Sequence, residues 1–313
     1  MNLVKLRLSM IGTLAVIFGL STLFFTVALW FFDALNLFTL VGFVVTFNIL
    51  QWLMSPYLVD LLYRVREVSP SEKTGLYNLV EKLAQKSQIA MPRVMIADIP
   101  LPNAFAYGSP VAGTRIAVTS GLLNTLDTEE VEAVVGHELG HIRHNDAQIM
   151  MFVSLLPAIF YYLSFSLSYA TSSRDRDRGS GLAAFASISM MLYFMLTLLS
   201  LKLSRLREYY ADRHSVAVVD DGARKLSEGL AKIVMSTSRM SLFGRGTRGY
   251  GNFKALFIAD PDTALQDATE IRNDQELVQA ILSRKTGALD TFAEIFSTHP
   301  NIVKRLRALQ ELE

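Results

Sequence analysis

The order of apolar and charged positions divides the chain into two kinds of sequence. Four uncharged runs, Leu8 to Phe32, Ala34 to Val59, Ala147 to Ser173 and Gly179 to Leu201, each exceed the roughly 20 residues a helix needs to cross a bilayer. Asp33 and Asn36 mark a short polar turn between the first two, which predicts a helical hairpin. Trp30, Trp52 and Tyr57 stand near the run ends, where amphipathic rings favour the membrane interface. The second pair is more polar: serine and tyrosine recur between Leu155 and Leu167, and Pro157 interrupts. That pair is expected either to span the bilayer or to lie partly buried in protein. It is helical in both cases, because lipid offers the backbone no hydrogen bonds.

Between the pairs the period changes. Leu76, Leu79, Val80, Leu83 and Ala84 recur at spacings of three and four, predicting a helix over 67–87. Residues 93–99 (RVMIADI) read as a strand, Asn103 to Tyr107 as an extended segment and Arg115 to Thr119 as another strand. Asp127 with Glu130 forms a capping-box pattern ahead of Val131, Val134 and Val135, so a helix starts there. Further helices are expected over about 201–218 and 221–235, then a glycine-rich loop over 241–252 that could act as a lid. A terminal helix opens at Pro300 with Ile302, Val303, Leu306 and Leu309 on one stripe. These blocks predict four parts: a transmembrane hairpin over 1–60, a first stretch of an aqueous domain over 61–147, a second membrane-associated hairpin over 148–203, and the rest of the aqueous domain over 204–313.

Composition supports the division. Of 313 residues, 51% are hydrophobic and 19% charged. Because the charges avoid the four runs, they concentrate to about 28% elsewhere, an ordinary value for water-soluble protein. A net charge of +1 leaves no electrostatic footprint for nucleic acid. With no cysteine, disulfides, thiolate zinc sites, iron–sulfur clusters and cysteine nucleophiles are all excluded. Lys5 and Arg7 precede an uncharged run too long for a signal peptide, so the segment reads as a retained anchor. Lys5, Arg7, Arg64, Arg66, Arg143, Lys202, Arg205 and Arg207 flank one side of the two hairpins, and the positive-inside tendency assigns that side to the cytoplasm. Arg174, Arg176 and Arg178, interleaved with Asp175 and Asp177, oppose this on the other side.

The chemistry rests on His137-Glu138-Leu139-Gly140-His141, an H-E-x-x-H arrangement inside a predicted helix. Histidines four apart are rotated by about 40 degrees and separated by one turn, so both imidazoles reach one cation, and Glu138 faces the same opening as catalytic base for an activated water. A catalytic zinc takes three protein ligands and leaves a fourth position open. No histidine follows at short spacing: His141 is followed by Ile142, Arg143, His144, Asn145 and Asp146. Glu208 and Asp212 lie four apart on a later helix. Glu208 is assigned as the third ligand and Asp212 as an acceptor that orients a ligand imidazole, with Asp146 grouped alongside it. The competing reading makes these acids a solvated face paired to Arg205 and Arg207. His144 reads as an interfacial side chain, His214 as turned away from the acidic face, and Tyr209 and Tyr210 as packing residues. Gly244, Gly246 and Gly249 match a dinucleotide pattern without the strand and helix it requires, so no nucleotide is expected.

The chain resembles the HtpX-type membrane zinc proteases, relatives of the CAAX-processing membrane endopeptidases. The resemblance is carried by the amino-terminal hairpin, the NAFA segment at 103–106, HELGHIRHND at 137–146, the second hairpin, SRLREYYAD at 204–212 and a late Thr298-His299-Pro300. It implies a mainly α-helical membrane protein carrying an α+β zincin-like (gluzincin) metalloprotease domain with a small β-sheet. One zinc ion per chain is expected on His137, His141 and Glu208, with Glu138 as catalytic base. Membrane proteins or peptides would be cut on the cytoplasmic side of the cell membrane, in protein quality control. It also suggests that the extended segment at Asn103, Ala104 and Phe105 pairs with the substrate backbone as an added strand. His299 could donate to the developing oxyanion or cap the helix that follows. A rival reading as a transporter finds no charged residue within the apolar runs to mark a pathway; an idle membrane scaffold is the other rival.

Overall fold

In the computed structural model the described residues are 37–172, 176–242, 273–284 and 287–312. The turn at Asp33 and Asn36, the first apolar run, Arg174 with Asp175, and the glycine-rich loop from 243 onward lie outside them. The chain divides into two compact units, residues 1–52 with 148–200, and residues 53–147 with 201–313.

Among the described residues three helices are long and apolar enough to cross a membrane: α1 (Leu37–Leu62), α5 (Asp146–Ser172) and α6 (Arg176–Val218). In the first unit, Leu40, Val44, Ala158 and Tyr162 pack together, and the Ser164 hydroxyl donates to the Ala186 carbonyl at 2.8 Å. Other hydroxyls bond back into their own helices, Ser168 to the Ser164 carbonyl and Thr197 to that of Tyr193. This is how a polar side chain is satisfied on an apolar helix. Phe152, Phe185, Met191 and Phe194 point outward and stay exposed, the inverse of a water-soluble surface.

The second unit holds a four-stranded sheet of β1 (Val65–Glu67), β2 (Arg93–Ala97), β3 (Ala104–Ser109) and β4 (Gly113–Thr119). The order is β1-β2-β4-β3; only the β2–β4 pair is parallel. In β2 and β4 the period of two buries both faces. Val94, Ile96, Ile116 and Val118 join the main core, while Met95, Ala97, Phe105, Tyr107 and Ala117 form a second cluster with Tyr63. In the last turn of α1, Asp60 accepts from the Tyr107 hydroxyl at 2.6 Å and pairs with the buried Arg115.

The helices of this unit are α2 (Thr74–Lys86), α3 (Ser120–Thr125), α4 (Thr128–Arg143), α7 (Gly222–Leu242), α8 (Asp274–Leu282), α9 (Ala288–Ile295) and α10 (Ile302–Gln310), together with the distal part of α6. Four sequence expectations shift here. The helix predicted from residue 67 starts at Thr74 and buries Leu76, Val80, Leu83 and Ala84, because residues 65–67 are taken by pairing with β2. The extended segment at 103–107 becomes β3, at the sheet edge. The terminal helix starts at Ile302, and Asn301 rather than Pro300 opens it, its side chain accepting from the Val303 N–H. Tyr210, expected to pack, is 62% exposed.

Candidate metal centre

The site begins with the way α4 is held. Its capping box is complete, Asp127 and Glu130 each accepting a backbone N–H at the helix start, worth about 1 kcal/mol. Along its length α4 lies against α6 at two glycines. A Cβ on Gly136 would stand 3.2 Å from the Ser215 hydroxyl and 3.0 Å from Val219 just past the helix, and one on Gly140 3.0 Å from the Ala211 Cα. Gly140 therefore fills one of the two variable places of the motif with the residue that lets α6 approach. The Ser215 hydroxyl, donating to the Ala133 carbonyl at 2.6 Å, fastens the same contact. At the far end Asn145 adopts φ 54, a left-handed conformation that asparagine tolerates. It reverses the chain and turns Asp146 back onto the helix it has just left.

These elements bring His137, His141 and Glu208 together, each offering a ligand atom within 4.8 Å of the others. The two Nε2 atoms stand 3.2 Å apart, and the Glu208 carboxylate oxygens lie 3.5 Å from that of His141 and 3.7 Å from that of His137. Zinc–nitrogen bonds of about 2.0–2.1 Å in a tetrahedron give ligand–ligand edges of roughly 3.3 Å. Glu208 Oε2 is buried without a hydrogen bond, which is the requirement a cation would meet. Each imidazole is oriented from its other nitrogen: His137 Nδ1 is 2.9 Å from Asp212, and His141 Nδ1 is 2.5 Å from Asp146. Such carboxylate–histidine pairs fix the tautomer and leave Nε2 to a metal.

Glu138 is buried, and its Oε2 accepts the Ala106 N–H at 2.9 Å from the edge strand β3. Burial pushes its pKa above the ordinary carboxylate range, the two histidines pull the other way and Glu208 reinforces the rise. Asn103, Ala104 and Phe105 are themselves buried. Asn103 faces β4, exchanging bonds with Thr119, so alternation turns Ala104, Ala106 and Gly108 to the open edge. Any pairing at this edge is by backbone. His299 Nδ1 is 3.1 Å from Glu208 Oε2; capping of the following helix falls to Asn301.

Arg205 and Arg207 do not pair with Glu208 and Asp212. Arg205 donates to the carbonyls of Ile295 and Ser297, and Arg207 lies 2.8 Å from Asp146. His214 bonds Ser87. The cation that does reach the acids is Arg305, whose position the sequence reading passed over. Only 1% exposed, it donates to both oxygens of Asp212 at 2.8 and 2.6 Å and lies 3.3 Å from Glu208. Helical spacing gave a signal: 305 falls on the inner stripe with 302, 306 and 309, and a buried arginine demands a carboxylate partner. Formally, four carboxylates (Glu138, Asp146, Glu208, Asp212) face two guanidiniums (Arg207, Arg305). The balance is two negative charges, the complement of a divalent cation.

A helix-borne H-E-x-x-H beside the edge strand of a small sheet, with a carboxylate supplied by a later helix, defines the chain as a metalloprotease. The Peptidase family M48 profile matches residues 70–313, and the chain belongs to that family, whose metalloproteases are zinc-dependent in general. It is similar to the Protease HtpX homolog of Thermoplasma acidophilum, with 37% identity over 85% of this chain and 82% of that protein. With Protease HtpX homolog 2 of Sulfurisphaera tokodaii the identity is 35%, over 98% and 97%. The crystal structure of S. mikatae Ste24p shares the fold, with a TM-score of 0.56 at 19% identity, over 98% of this chain and 67% of that one.

Proposed function

We propose that this protein is an integral-membrane zinc endopeptidase that cuts membrane proteins at the cytoplasmic face of the cell membrane, in protein quality control. The observation that carries the reading is the convergence of His137, His141 and Glu208, with Glu138 held alongside by the Ala106 N–H. When bound, zinc would supply Lewis acidity, polarising the scissile carbonyl and making water acidic enough to attack at neutral pH.

The chain's own residues do the rest. His137, His141 and Glu208 hold the ion. Asp212 and Asp146 fix the orientation and tautomer of the two imidazoles, leaving each Nε2 toward the ion. Glu138 takes the proton from the attacking water and returns it to the leaving amine, a carboxylate role that needs no covalent intermediate. The open edge of β3 at Ala104 and Gly108, with the Ala106 carbonyl, aligns the substrate backbone by strand addition, and His299 donates to the developing oxyanion. Arg64, Arg66, Arg143 and Lys202 support the cytoplasmic placement.

The test is metal analysis and peptidase assay of the purified full chain beside Glu208→Ala. The variant should lose most of its zinc and at least about 100-fold in activity. Stoichiometric zinc with full activity would remove Glu208 from the ligand set.

A further inference from the structure

From its exposed aromatic face and its anchorage, we infer that α9 is an amphipathic helix lying in the membrane interface beside the metal centre, with lipid as the partner of that face. The inference rests on the membrane placement proposed above and goes beyond it, since α9 belongs to the aqueous unit.

Three observations carry it. Phe292, Ile295 and Phe296 recur at spacings of three and four and are 62%, 39% and 41% exposed. The two phenylalanine rings stack edge-on at 5.5 Å, so they form one patch. The acids of the helix are turned elsewhere: Asp290 accepts the Gly287 N–H at the helix start, and Glu294 accepts the Asn301 N–H and pairs with Lys304. One face is thus apolar and the other charged, the pattern of a helix that lies on a bilayer.

The third observation fixes the depth. Arg205 donates to the carbonyls of Ile295 and Ser297, at 3.1 and 2.7 Å, clamping the carboxyl end of α9 to α6. Along that same helix Arg205 is only four residues past Leu201, where the last uncharged run ends, a rise of about 6 Å. Interfacial helices bury their apolar face by about 5–10 Å at the headgroup boundary. Continuity with the membrane-crossing helix therefore favours lipid over a second protein as the cover for Phe292 and Phe296. Glu208 follows Arg205 by three residues, His299 follows Ser297 by two, and the two stand 3.1 Å apart, so a lipid-seated α9 would set the rim of the metal centre at the depth where a substrate segment leaves the bilayer.

The absence of cysteine makes the test clean. Single variants Phe292→Cys, Phe296→Cys and, as a reference on the membrane-crossing part of α6, Phe194→Cys are labelled with a small fluorophore. The full chain is placed in phosphatidylcholine–phosphatidylglycerol vesicles carrying spin-labelled lipids, with aqueous iodide as the opposing quencher. Shallow spin labels should quench positions 292 and 296 about twofold while iodide barely does, with deeper labels quenching 194. Iodide quenching at 292 and 296, with 194 still lipid-quenched, overturns this inference alone. Protection of both positions from both quenchers also overturns it, since it means that protein covers the face. Loss of lipid quenching at 194 as well would bring down the membrane placement with it.

Discussion

Helix α4 carries a cluster of acids at each end, and the two are finished differently. At the amino end Asp127, Glu130 and Asp274 surround Lys232, whose ammonium stands 3.0, 2.8 and 3.0 Å from them. At the carboxyl end His137, His141 and Glu208 converge with no ammonium among them in the described residues; of the guanidiniums nearby, Arg305 is bidentate to Asp212 and lies 3.3 Å from Glu208, and Arg207 pairs with Asp146. Both groups have ligand spacing. The difference teaches that proximity of acids does not make a metal site. What distinguishes the carboxyl end is that its donors include two imidazoles, each oriented from its other nitrogen by a carboxylate. The amino end already contains its cation.

The largest effect should come from removing the base at the carboxyl end. Glu138→Gln keeps the side chain's shape and its bond from Ala106 but cannot take a proton. Peptidase turnover should fall about 10³-fold, within the range for a positioned general base, while zinc content by elemental analysis stays at the wild-type level. A variant that keeps more than a tenth of the activity would show that the carboxyl end is structural, like the amino end.

The second largest should come from emptying the amino end. Lys232→Met leaves Glu130, only 3% exposed, without its cation. Glu130 retains the Asp127 N–H at 2.9 Å, so the cost should be about 3 kcal/mol, the low end for stripping one partner from a buried pair. That is a fall in Tm of roughly 6–12 °C for a chain of this size. Adding Glu130→Gln should recover most of the loss in a thermal melt of the detergent-solubilised protein. An unchanged Tm in the single variant would mean that the lysine is not what neutralises Glu130.

How far the sequence reached follows the same division. His137, Glu138 and His141 were legible because one helical turn carries the whole motif, and Glu208 with Asp212 because their spacing is also helical. The capping box at Asp127 and Glu130 is equally local. What escaped depends on partners distant in the chain. The three residues of β1 have no period of their own and are strand only through pairing with β2. The alternation in β3 that turns Ala106 toward Glu138 is set by Thr119 on β4. Arg305 acquires meaning only once α10 lies against Asp212, 93 residues away in sequence.

Arg305 offers the third and subtler comparison, between a cation that fills an acid cluster and one that shapes it. Arg305→Lys keeps the charge but cannot span both oxygens of Asp212, and such a pair is not interchangeable at a bidentate site. Looser support of Asp212 should loosen His137. The zinc dissociation constant, measured by competition with a chelator, should rise about tenfold, with little change in the Tm of the zinc-free protein. If affinity is unchanged while Tm drops, Arg305 acts only as structural packing.

The smallest effect should come from trimming the amino-end cluster at its rim. Asp274 is a half-exposed partner of Lys232 from outside α4, its side chain 43% exposed, and Lys232 keeps Glu130 and Asp127 when it is neutralised. Asp274→Asn should therefore cost at most about 0.5 kcal/mol, the scale of a solvent-screened pair. Salt separates this from the loss of Lys232. In 1 M salt the Debye length shrinks to about 3 Å, so the small deficit of Asp274→Asn should vanish, whereas that of Lys232→Met should persist because Glu130 is out of reach of the ions. If both deficits disappeared in salt, the amino-end cluster would be a surface feature throughout, and its contrast with the buried carboxyl end would be one of exposure instead of charge completion.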